Sequence, residues 1–129
     1  MNRCGFTLVE IMITVVIIGV IAVLAIPRYT NSVERTRASD GVQILRTLFE
    51  AQELYFVEHN FYTDDSEALE IDPNEIFSQY FDSIKISSVA DNLAEVTRKG
   101  SPTYTLSIDI EAVISCSNGT GNICQRIGY

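Results

Sequence analysis

The chain changes character at Pro27. From Phe6 to Ile26 every residue is apolar except Thr7, Glu10, Thr14 and Gly19, and no charge falls between Ile11 and Ile26. As a helix at about 1.5 Å per residue this stretch reaches roughly 31 Å, close to the hydrocarbon thickness of a bilayer. A helix also satisfies its own backbone hydrogen bonds, as lipid demands. Past Pro27 the pattern becomes periodic. Val33, Ala38, Val42, Leu45, Leu48, Phe49, Gln52, Tyr55, Phe56 and His59 recur at spacings near three and four, the mark of one helical face. Glu34, Arg35, Arg37, Asp40, Arg46, Glu50, Glu53 and Glu58 mostly take the other positions. The pattern predicts a helix from about Thr7 to Glu58, with Asn60 as a left-handed cap. Pro27 has no N–H and clashes with the carbonyl of Val23, so a kink is expected there.

Beyond Asn60 the period shortens to two. Phe61 to Tyr80 reads as a loop, with a short helix capped at Asp65 or Ser66 and a turn at Asp72-Pro73-Asn74. Ser83–Val89, Leu93–Lys99 and Tyr104–Ile110 read as strands, and Val113–Ser117 as a shorter fourth. The third is the clearest, since Tyr104, Leu106, Ile108 and Ile110 alternate with polar neighbours. Asn118 to Asn122 is glycine-rich and reads as a flexible loop. An antiparallel sheet with its apolar face on the helix buries both surfaces. The expected class is α+β: a long N-terminal spine helix, its first half transmembrane, packed against a small antiparallel β-sheet.

Charge sharpens the division. The net charge is −8, and Arg3 and Glu10 are the only charged residues before Arg28, so the part beyond Pro27 carries all of it. An acidic soluble part repels phosphate backbones, and no nucleic-acid partner is expected. The 129 residues leave room for one small soluble domain and none for a second, catalytic one. No nucleophile elbow, phosphate loop or HExxH pattern occurs, and no cofactor is implied. His59 falls on the helical stripe, a place for core or boundary rather than catalysis. Asp64, Asp65, Glu67, Glu70 and Asp72 invite a calcium site, but their spacing does not match a D-x-[DN]-x-[DN]-G loop. Capping and solvation account for them, and no metal is expected.

The first apolar stretch has two ordinary readings to displace. A cleaved secretory signal has a shorter apolar region and a more basic leader. A plain signal anchor gives no role to Glu10, and an acid inside an apolar span is a functional residue by default. At the first turn of a helix it meets unpaired N–H groups and the positive end of the macrodipole. A free amine at Phe6, four positions earlier, would supply a full cationic partner, within one chain or between neighbours.

Gly5-Phe6-Thr7-Leu8-Val9-Glu10 followed by an apolar helix resembles the N-terminal signature of type IV pilins and prepilin-like proteins. Gly19 and Pro27 fall where such proteins have a helix glycine and a kinking proline. The resemblance is tight over the first 30 or so residues and architectural beyond them. It implies cleavage between Gly5 and Phe6 by a prepilin peptidase, N-methylation of Phe6, and a homopolymer of pilin subunits packed through their N-terminal helices. Glu10 then neutralises the amine of an adjacent subunit. The implied layout is a leader over 1–5, a transmembrane and assembly helix over 6–26, and a globular head over 27–129. The implied place is the inner membrane, where assembly machinery takes the subunit into a cell-surface pilus or a periplasmic pseudopilus. Of the three cysteines, Cys4 leaves with the leader, and Cys116 and Cys124 remain. The resemblance implies that they form a C-terminal disulfide loop; the alternative is two buried thiols. Two other functions remain open: a pseudopilin of a type II secretion system, and a membrane-tethered binding domain with a local basic patch at Arg98 and Lys99.

Overall fold

A computed structural model describes residues 5–129 except 73–75, 77 and 118, and leaves aside the side chain of Pro27. The chain divides into two compact units, Met1–Val33 and Glu34–Tyr129. One helix, α1 (Leu8–His59), contributes to both. Its helical assignment runs through Pro27, but the kink expected there falls on a residue whose side chain lies outside the described set.

In the first unit α1 is uncovered among the described residues. Phe6 is 80% exposed, and the apolar side chains from Leu8 to Ile26 are nearly all exposed with it. This is one helix long and apolar enough to cross a membrane. Thr14 turns its hydroxyl back onto the carbonyl of Ile11 at 2.8 Å, so its polarity is met within the helix.

In the second unit α1 carries a buried stripe of Glu34, Ala38, Gly41, Leu45, Leu48 and Gln52, joined by Ile44. Four antiparallel strands face it in the order β1 (Phe81–Val89), β2 (Asn92–Arg98), β3 (Thr105–Ile108) and β4 (Ile114–Ser117). Their register aligns two apolar rows, Ile84–Val96–Leu106–Cys116 and Ile86–Ala94–Ile108–Ile114. Lys85, Glu95, Ser107 and Ser115 form a polar row between them, because successive side chains leave opposite faces of a strand. Full burial of Leu45, Leu48, Leu106 and Ile108 stabilises the unit by about 1.5–3 kcal/mol for each side chain. Gly41 lets β1 come close. A Cβ there would lie 2.6 Å from Cζ of Phe81, so the ring occupies the space a side chain would need.

The strands appear where alternation predicted them, with shifted ends. The third stops at Ile108, short of Ile110. The carboxylate of Asp109 accepts the N–H groups of Glu111 and Val113 at 2.9 Å each, and this closes a turn that ends the pairing. Asn60 takes the left-handed conformation at φ 63°. The short helix expected at Asp65 or Ser66 is only a turn, closed by Glu67 N–H on Asp65 Oδ1 at 3.0 Å and Ile71 N–H on the Ser66 carbonyl at 3.2 Å. The turn predicted at Asp72-Pro73-Asn74 lies outside the described residues at Pro73 and Asn74. From Gly119 onward the glycine-rich loop holds more regular structure than expected. Thr120–Asn122 makes a 3-10 turn into a second helix, α2 (Ile123–Ile127), whose two isoleucines are buried.

Candidate functional site

The N-terminal residues form the first candidate. Gly5 has no atom near the space of a side chain, and Phe6 stands exposed before the helix. Thr7 begins α1 as a cap: its Oγ1 accepts the N–H of Glu10 at 3.2 Å, and its carbonyl accepts the N–H of Ile11 at 3.3 Å. Thr7-x-x-Glu10 is therefore the capping-box spacing, a signal legible in the sequence and passed over above. Glu10 occupies the first turn, where an acid is favoured by the macrodipole. Because α1 starts at Leu8, Phe6 precedes the first turn and does not lie on the helix with Glu10. Glu10 is exposed in the single chain.

An exposed apolar helix with one acid behind a glycine matches a known sequence family. The prokaryotic N-terminal methylation motif is matched over residues 1–26. The chain is similar, over its N-terminal part, to type IV pilins. It is 43% identical over 63 residues to the type IV major pilin protein PilA of Myxococcus xanthus, covering 49% of this chain and 28% of that protein. It is 52% identical over 40 residues to the type IV major fimbrial protein FimA of Dichelobacter nodosus, covering 31% of this chain and 25% of that one. The pilin-like chain thus matches only about a quarter of the length of these relatives.

The head carries a second polar assembly that sequence reasoning missed. Glu34, assigned above to the polar face, is 4% exposed, and Arg98 is 6% exposed. Arg98 Nε donates to Glu34 Oε1 at 2.7 Å, Arg37 Nη1 donates to Oε2 at 3.0 Å, and Tyr104 Oη donates to Oε1 at 3.2 Å. Arg98 also donates to the carbonyls of Tyr80 and Lys99, and both guanidinium groups lie over the Tyr80 ring at 5.3 and 5.6 Å. Burial pushes the Glu34 carboxyl up, but the hydrogen bonds from Arg98 and Arg37, the Arg98 charge and Tyr104 together bring it below its ordinary value. The same carboxylate and the burial of Tyr104 push that phenol up. Arg98 is thus committed inside the head, which removes it from the basic patch envisaged with Lys99.

At the far end of α1, Gln52 is fully buried. Its Nε2 donates to the carbonyls of Thr63 and Ser87 at 2.6 and 3.3 Å, and its Oε1 accepts the Thr63 N–H at 3.2 Å. This amide fixes the loop after α1 and the end of β1 to the helix. His59 is exposed, stacked on Tyr55 at 4.1 Å between ring centroids. Cys116 and Cys124 are joined in a disulfide with Cα atoms 5.6 Å apart. Among the described residues no three of His, Cys, Asp or Glu converge as metal ligands would.

Proposed function

We propose that this chain is a structural subunit of a type IV pilus, with no enzymatic role. The precursor sits in the inner membrane through residues 6–26. A prepilin peptidase cuts it between Gly5 and Phe6, Phe6 is N-methylated, and the inner-membrane assembly machinery polymerises it through its N-terminal helix into a cell-surface filament. The observation that carries this reading is the uncovered apolar stretch of α1 with Glu10 in its first turn, lying within the N-terminal methylation match. Packing such helices together removes their apolar surface from water or lipid without any new fold. Glu10 then meets the Phe6 amine of a neighbouring copy, since the amine in its own chain precedes the helix. A charge in such a bundle is tolerable only when it is paired. The names of the relatives, a major pilin and a major fimbrial protein, support a pilus over a secretion pseudopilus.

Mass spectrometry of the protein recovered from sheared surface filaments tests the proposal. The expected N-terminus is a methylated Phe6. An intact leader in assembled filaments, or a mature start near Ile26, would overturn it.

A further inference from the structure

The head is polarised in charge along α1. At one end, the turn Glu34–Arg37 gathers cationic side chains from three parts of the chain. Arg35 Nε donates to the carbonyl of Arg126 at 2.9 Å, and Lys99 N–H donates to the carbonyl of Tyr80, beside the buried Arg98. Arg35, Lys99 and Arg126 are exposed there; Glu34 is a buried, paired acid among them, and exposed Asp82 follows Phe81, the sheet partner of Arg98. At the other end, α1 finishes with Glu58, and the loop that Gln52 holds carries Asp64, Asp65, Glu67 and Glu70, all exposed. The hairpin turns bearing Asp91 and Glu111 reach the same end. Ser87 is bonded to Gln52, and Ile110 N–H donates to the carbonyl of Ala90 at 3.0 Å.

Glu58 and Glu70 flank apolar surface that the head leaves uncovered, for both line a cleft with Leu54. Leu54 is 65% exposed, Val57 75% and Phe61 56%, on the last turns of α1 and just after it. An apolar centre with a charged rim is the anatomy of a docking surface, not of a solvated face. From Glu34 to Glu58 α1 spans roughly 36 Å at about 1.5 Å per residue. That is several times the ~8 Å Debye length at physiological salt, so the two ends do not neutralise each other within one chain.

We propose that the acid-rimmed patch of Leu54, Val57 and Phe61 receives the basic end of a second copy of this chain. A two-fold dimer through either end would set like charges against each other. A head-to-tail contact pairs unlike ends and, where it does not close, generates an open filament; an antiparallel two-fold pair would also join unlike ends but stops at two copies. The inference rests on the filament reading and adds to it a cohesive contact between heads. It also gives polymerisation a direction that does not depend on Glu10.

Charge reversal on the full-length chain tests it, with side chains outside the core. Lys99→Glu with Arg126→Glu reverses the basic end, and Glu58→Lys with Glu67→Lys reverses the acidic end. Sedimentation of the detergent-solubilised protein at about 0.01 M and about 1 M salt, where the Debye length is ~30 and ~3 Å, reads the contact directly. Each double variant should lower the self-association constant on the order of tenfold at low salt, because like charges then face each other. The quadruple variant should restore it, and high salt should erase the differences. Association that stops at two copies, that is indifferent to either reversal, or that stays weak in the quadruple variant overturns the docking. Counting processed filaments from the same variants separates the two ideas. Wild-type filaments without charge-dependent association overturn the docking alone. Charge-dependent association without wild-type filaments overturns the pilus reading alone.

Discussion

Arg98→Met leaves Glu34 buried with its closest cation gone. The wild-type carboxylate is 4% exposed and takes hydrogen bonds at 2.7 Å from Arg98, 3.0 Å from Arg37 and 3.2 Å from Tyr104. Breaking a buried pair on one side destabilises by about 3–5 kcal/mol. Arg37 and Tyr104 still serve the carboxylate, which puts the expected loss at the lower end, about 3 kcal/mol. For a domain of this size each kcal/mol shifts the melting temperature by about 4–8 °C, so a drop of at least ~12 °C is expected. Near-ultraviolet circular dichroism of a soluble fragment beginning at Arg28 measures it at neutral pH. Glu34→Leu combined with Arg98→Met should recover most of the loss, because an apolar replacement of both partners removes the stranded charge. Acid adds an independent reading. The Glu34 carboxyl is held below its ordinary value of 4.5, so its contribution is complete above that pH and is lost as pH falls through the lower, folded-state value. The wild-type fragment should therefore lose stability below 4.5 more steeply than the double variant. A single variant that melts with the wild type, or a double variant no better than the single one, refutes the argument.

Gly41→Ala should destabilise the same fragment by about 1–3 kcal/mol in a chemical denaturation curve, since its Cβ would meet Phe81 carbon atoms at 2.6 to 2.9 Å; Phe81→Leu should relieve part of the defect. Replacing Cys116 and Cys124 by Ser opens a loop whose closure is worth roughly 2.5 kcal/mol on a chain-entropy basis. Calorimetry should show the fall, and an unchanged melting temperature would show that the head stands without the staple. Glu10→Ala and Glu10→Gln should insert into membranes normally and give few or no filaments by electron microscopy. Normal filament numbers from either would make Glu10 an incidental membrane acid.

The long helix was legible because its two signals are local: an unbroken apolar run and then spacings of three and four. The strands were legible because alternation is local as well. Glu34 was not, since a charged residue on a helix reads as solvated until its partner is known, and Arg98 lies on β2 far along the chain. Gly41 offered a clue that went unused. A glycine inside a helix costs about 1 kcal/mol relative to alanine, and such a position invites a search for what fills its space. At the other end periodicity overreached. Phe56 and His59 continue the stripe but are exposed, because the helix outlasts the sheet that faces it. Five residues are too few to show a helical period, so α2 left no trace in the pattern.

A four-stranded open sheet has two borders, and each is a row of unpaired peptide groups able to recruit a foreign strand. Here one border is β4, four residues long and tied by Cys116 to the helix that follows it. Peeling it away to bare β3 would drag α2 and its buried Ile123 and Ile127 out of the core with it. The other is β1, whose pairing slips twice, between Phe81 and Ser83 and between Ile86 and Val89, and which carries Lys85 on its outer face. Breaks in regularity and an outward lysine both discourage a straight neighbour from zipping on. For a chain that polymerises as proposed, this discourages amyloid-like stacking among crowded copies and leaves its helix and its head surfaces as the places for them to meet.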